Sequence, residues 1–99
     1  MPIDVDELID IDETTDIGDS DVGRLWRVIL YNDNWHTFDE VIAQVQKATG
    51  CSLERAVAIT YEAHTKGRAV AYEGSKEKCK RVVAVLREIR LQAEIDEAP

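Results

Sequence analysis

Cysteine is scarce in this 99-residue chain, which has only Cys51 and Cys79 and no C-x-x-C spacing. Two cysteines are too few for a disulfide framework, so both read as reduced thiols. No apolar run approaches the ~20 residues of a membrane span, and the acidic N-terminus lacks the basic and apolar regions of a secretory signal. A cytoplasmic protein with no membrane partner is expected. Gly-rich phosphate loops, G-x-S-x-G elbows and H-E-x-x-H zinc motifs are all missing, as are internal repeats and low-complexity stretches. Lysine and arginine are absent from residues 1–23, which hold nine acids; 11 acids and all 12 bases follow from residue 24 onward. The first segment thus carries all of the charge imbalance, and the remainder is close to neutral. That near-neutral body shows no basic stripe and argues against a nucleic-acid partner.

What is present divides into two parts. Residues 1–23 repel themselves and show isolated Ile, Val and Leu without a sustained period, so a disordered extension is expected there. Such an extension serves equally well as a solubilising leader or as an interaction arm. Residues 24–99 are enough for one domain with one core.

The body is organised around residues 26–38. Trp26 to Tyr31 are mostly β-branched, aromatic or aliphatic and suit a half-buried strand. Asn32, Asp33 and Asn34 end it, because short side chains that bond their own backbone favour turns. Thr37 and Glu40 then form a T-x-x-E capping box. Phe38, Val41, Ile42 and Val45 share one face of a first helix over about 38–48, stopped by Gly50. Ser52 caps a second helix in which Leu53, Ala56, Val57, Thr60, Ala63 and His64 share a broad face, ending at Gly67. A short strand follows at Ala69–Tyr72. Gly74 and Ser75 lead into a third helix patterned by Cys79, Val82, Val83, Leu86 and Ile89. Leu91, Ala93 and Ile95 alternate with Gln92, Glu94 and Asp96 in a last strand with one wet face. The order β-α-α-β-α-β predicts an α+β fold: a single small domain with a three-stranded, mostly antiparallel sheet and three helices packed on one face.

Catalytic readings are weak. Cys51 and His64 lie at opposite ends of the second helix, roughly 20 Å apart at ~1.5 Å per residue. They cannot act as a nucleophile and its base, nor join a common zinc ion with Cys79 and His36. No cofactor or metal is expected, and a hydrolase using His36 or His64 is left only as a rival. A histidine in a last helical turn has an ordinary role, since the carbonyl end of the helix favours its charged form. The turn residues likewise have ordinary turn chemistry available. A binding role requires the turn to approach the second helix. His64 would then face Asn32 and Asn34 at the mouth of a groove lined by Phe38, Val41, Thr60 and Ala63, a form suited to a ligand with one charged end.

Three stretches, Val-Ile-Leu-Tyr-Asn-Asp at the first strand, Glu-Arg-Ala in the second helix and Glu-Ala-His-Thr-Lys-Gly-Arg-Ala-Val at its exit, together resemble the ClpS family from about Trp26 to Ala98. That resemblance implies an adaptor that binds proteins beginning with Leu, Phe, Tyr or Trp and delivers them to a Clp AAA+ unfoldase of the ClpA or ClpC type. It implies a monomer and no enzymatic activity. Carried over by position, Asn32 and His64 would hold the substrate's α-amine, with Asn34 beside them and Asp33 as a further contributor. Phe38, Val41, Thr60, Ala63 and Leu91 would wall the pocket for the first side chain. The family's usual second turn acid is Asn34 here, its Thr-Pro-Met is His36-Thr37-Phe38, and a pocket-edge Met is Thr60. An interaction domain of the ribosomal-stalk C-terminal type, with no N-degron recognition, is the alternative.

Overall fold

The computed structural model describes residues 24–98; the acidic segment 1–23, expected to be disordered, lies outside the described residues, as does Pro99. Three strands form one sheet: β1 (Trp26–Tyr31), β2 (Arg68–Gly74) and β3 (Ala93–Glu97). β1 is central in the order β2-β1-β3 and antiparallel to both neighbours. Its registers pair Tyr31 with Arg68 and Leu30 with Ala93, and a bulge interrupts the β2 side between Val28 and Ile29. The strand with the most continuous apolar run takes the middle because both of its backbone edges are then satisfied and its side chains buried. Val28, Ile29 and Leu30 are all buried.

Three helices cover one face: α1 (Phe38–Thr49), α2 (Leu53–Lys66) and α3 (Lys76–Leu86). Their starts follow the expected caps. The Thr37 hydroxyl accepts the Glu40 amide while Glu40 reaches back to the Thr37 amide, and Ser52 and Ser75 accept from Arg55 and Lys78. Gly50 and Gly67 close α1 and α2 at φ 73° and 90°, left-handed conformations in which a side chain is disfavoured. The core joins Val28, Leu30, Ala69, Ala71 and Ala93 of the sheet to Val45, Ala56, Ile59, Ala63, Cys79, Val82, Val83 and Leu86 of the helices. β2 buries Ala69 and Ala71 in this core, with Tyr72 partly buried against it, and the small alanine side chains suit close packing of α2 on the sheet.

Two expectations change. On α2, Leu53 and Val57 are exposed, at 60% and 42%, whereas Ile59 is buried. The broad apolar face spans more of the helix than the core contacts, and the stripe Ala56, Ile59, Thr60, Ala63 is the one that packs. At the other end, α3 stops at Leu86 and tightens into a 3₁₀ turn over Arg87–Ile89, closed by Arg90 at φ 66°. That reversal directs Leu91 into the core, and β3 begins only at Ala93. Arg87 secures the corner by donating from its guanidinium to the Ala93 carbonyl at 2.7 Å.

Candidate functional site

β1 runs directly into the site. Where the strand ends, the Tyr31 amide donates to the Gln92 carbonyl at 2.9 Å and the Asn32 amide to the Gly67 carbonyl at 3.0 Å. The second bond sets the start of the turn against the α2–β2 junction, three residues beyond His64. The approach on which a binding role depended is therefore made by backbone hydrogen bonds, and sheet pairing of Tyr31 with Arg68 reinforces it.

One cavity of about 210 Å³ lies at this junction. Asn32, Asp33, Asn34 and His64 line it, together with Phe38, Val41, Thr60, Ala63 and Leu91. All nine residues singled out from the sequence thus surround one space. Leu30, Tyr31 and His36 complete the lining. Leu91 and Ala63 are buried, Val41 is half-buried, and Phe38 is 41% exposed at the rim. The Phe38 ring stands edge-on to His64, with centroids 5.1 Å apart and planes at 71°, a favoured aromatic geometry that also orients the imidazole. Thr60 is buried and its hydroxyl donates to the Ala56 carbonyl at 2.8 Å. With that donor directed to the helix backbone, Thr60 contributes wall more than polarity.

The polar groups fall into two sets. Among the described residues, the side-chain amides of Asn32 and Asn34 and the ring nitrogens of His64 make no hydrogen bond, so their acceptor atoms are available at the cavity. Asp33 differs. Its Oδ1 accepts the amides of Trp35 and His36 at 3.2 and 3.1 Å, and its Oδ2 lies 2.7 Å from His36 Nδ1. Burial raises the carboxyl pKa, but the hydrogen bonds from the His36 amide, the His36 ring and the Trp35 amide together hold it below the ordinary value. His36 Nε2 meets the Ile89 carbonyl at 2.6 Å. Both nitrogens of this imidazole are therefore occupied, which removes His36 as a general base.

His36 also lines the cavity, where sequence reasoning had weighed it only as a zinc ligand, a rival catalyst and a departure from the family's turn. An acid and a histidine three residues apart within a turn were the available signal; the second partner, Ile89, lies 53 residues away and left none.

The comparisons with known proteins agree with this architecture. Residues 22–95 match the family described as ATP-dependent Clp protease adaptor protein ClpS. The ATP-dependent Clp protease adapter protein ClpS of Xanthomonas campestris pv. campestris is 33% identical over 63 residues, which cover 64% of this chain and 59% of that protein. The E3 ubiquitin-protein ligase UBR1 of Drosophila melanogaster is 35% identical over 60 residues, 61% of this chain but 3% of the ligase. The chain thus spans somewhat over half of the bacterial relative and a small part of the other. Agrobacterium tumefaciens ClpS2, solved bound to L-phenylalaninamide, shares the fold with a TM-score of 0.71 at 16% identity, covering 76% of this chain and 98% of that one. With the family's pattern matched across nearly the whole described domain, the chain belongs to the ClpS family of Clp protease adaptor proteins.

Proposed function

We propose that this chain is an adaptor that captures proteins by a first residue of Leu, Phe, Tyr or Trp and delivers them to a Clp AAA+ unfoldase. One observation carries the reading: unpaired acceptors of Asn32, Asn34 and His64 border the same cavity as the apolar side chains of Phe38, Val41, Ala63 and Leu91. A terminal ammonium has three donors and no acceptor, so amide oxygens and a neutral imidazole nitrogen suit it, and an internal peptide bond offers no such charge. The apolar wall takes the first side chain, whose burial contributes roughly 1.5–3 kcal/mol. Charge-assisted hydrogen bonds add about 1.5–3 kcal/mol each, and micromolar affinity, near 8 kcal/mol, is within reach after ordering costs. An adaptor must release its cargo, and that affinity permits it.

The ClpS2 relative was solved with L-phenylalaninamide, a ligand that joins a free α-amine to an aromatic side chain. By that analogy the turn and His64 serve as the amine partners here, and the cavity serves as the side-chain pocket. The test is titration of fluorescent peptides that begin with Leu or Phe, free and N-acetylated. The free peptides are expected to bind and remain intact, and the acetylated ones to bind much more weakly. Equal affinity for both would overturn amine recognition, and peptide cleavage would overturn the adaptor role.

A further inference from the structure

The contacts of His36 extend this reading and rest on it. Its Nδ1 lies 2.7 Å from a carboxylate oxygen of Asp33 and its Nε2 lies 2.6 Å from the Ile89 carbonyl oxygen. An ionised carboxylate and a carbonyl only accept, whereas a neutral imidazole has one N–H to give. Either neutral tautomer would place a ring lone pair against an oxygen lone pair at one of these contacts. Moving the proton onto Asp33 instead is opposed by the Trp35 and His36 amides, which already donate to its other oxygen and favour the ionised form. The side chains of His36 and Asp33 are only 14% and 12% exposed, so water has little room to substitute for either partner.

We propose that His36 is a positioning residue: as a doubly protonated imidazolium it ties Asp33 to the Ile89 backbone and holds the Asn32–Asn34 turn at the pocket mouth. The bridge joins the turn after β1 to the end of the 3₁₀ turn that follows α3, across 53 residues of sequence. Without it the turn keeps the Asn32 amide on Gly67, the Thr37–Glu40 capping box and the Trp35 and His36 amides on Asp33, and among the described residues none of these ties its middle to the rest of the domain. Asn34 lies between those anchors. The charged groups acting on His36 are Asp33 from the turn and Glu40 from the first turn of α1; the 3₁₀ segment presents the Ile89 carbonyl. All three favour the charged ring. Consistent with this, the His36 pKa lies above its ordinary 6.5, raised first by the Asp33 hydrogen bond and only partly offset by burial.

The test uses the full chain and three readouts. Ring-nitrogen NMR of the free protein at neutral pH is expected to show both His36 nitrogens protonated, with a titration midpoint above 6.5. His36→Leu should speed amide exchange at Trp35 and His36, whose amides donate to Asp33, relative to core amides such as Val83. It should also weaken binding of a Leu-starting peptide by about tenfold while preserving preference for the free over the acetylated form, since the amine partners remain but are misplaced. His36→Gln, which can donate to one acceptor at a time, should fall between wild type and His36→Leu. A neutral-imidazole nitrogen pattern at neutral pH would overturn the proposal. So would unchanged turn exchange and affinity in both variants. If His36→Leu does not fold, the wild-type spectrum and His36→Gln decide. If wild type itself fails to distinguish free from acetylated peptide, the amine reading falls, and the spectrum and exchange rates still decide the role of His36.

Discussion

Replacing Asn34 by Asp tests whether this site attracts a charged amine. The neighbouring acid, Asp33, has its charge answered by His36, so the turn presents the cavity with dipoles and little net charge. Asn34→Asp would add one unanswered negative charge at a residue that lines the cavity yet is exposed. Two unit charges about 4 Å apart attract by about 1 kcal/mol in water and about 4 kcal/mol at an effective dielectric constant near 20. Exposure places the gain at the lower figure, about 1 kcal/mol or roughly fivefold in Kd. The screening length falls from about 10 Å at 0.1 M salt to about 3 Å at 1 M, so most of the gain should vanish in high salt. Titrating free and acetylated Leu-starting peptides against both proteins at these two ionic strengths gives four differences. Only the free peptide at low salt should tighten. An equal gain for the acetylated peptide would show that the new charge acts on something other than the amine, and no gain anywhere would make position 34 a turn residue only.

Three further outcomes follow from the same geometry. His64→Ala should weaken free Leu- and Phe-starting peptides by about tenfold or more and leave the acetylated forms unchanged, as read by fluorescence anisotropy; uniform weakening of both would assign His64 to the pocket's shape instead of its chemistry. Deleting residues 1–23 should leave peptide Kd unchanged and abolish delivery, measured as degradation of a Leu-starting reporter by unfoldase and peptidase; unchanged degradation would reduce the segment to a solubility device. Folding stability should depend on pH from both sides of the Asp33–His36 pair. Asp33 is held below its ordinary 3.8 and His36 above 6.5, so the pair's contribution is complete between those two values. It declines as pH falls through the depressed Asp33 pKa and again as pH rises through the raised His36 pKa. Urea midpoints measured across that span should show both limbs in wild type and shallower ones in Asp33→Asn, where Glu88 and Asp96 still supply part of the acid limb and the Ile89 carbonyl and Glu40 still favour the charged His36 ring.

Local chemistry made most of this domain legible. β1, the turn and the α1 capping box each depend on residues within a few positions of one another, and all lie where their side chains indicate. The order of elements followed from the periods of the apolar residues. Burial on α2 did not, because a wide apolar face leaves open which stripe meets the sheet; Leu53 and Val57 remain outside while Ile59 goes in. The end of α3 was also hidden. Arg90 in a left-handed conformation has no glycine to announce it, and the corner depends on Arg87 reaching the Ala93 carbonyl once β3 is in place. The nine candidate site residues were found by motif and resemblance, whereas His36 required Ile89 from a distant part of the chain.

The Asp33–His36 pair also sets how much charge the turn presents to the cavity. A half-buried carboxylate at the pocket would be costly alone, but the imidazolium cancels its charge and the two turn amides satisfy its other oxygen. The same cancellation removes much of the electrostatic pull that Asp33 could exert on an ammonium. Under the proposed function, recognition of an ammonium depends on where the acceptors of Asn32, Asn34 and His64 stand more than on how much negative charge surrounds them. Such hydrogen bonds are short-ranged and little affected by ions, whereas a charged rim is screened within a Debye length. Wild-type affinity for a free Leu-starting peptide should therefore change little with ionic strength, and Asn34→Asp should acquire salt dependence along with its tighter binding. A steep salt dependence that persists after deletion of the acidic residues 1–23 would mean that Asp33 acts on the amine despite His36, and that the pair is not the closed unit its geometry describes.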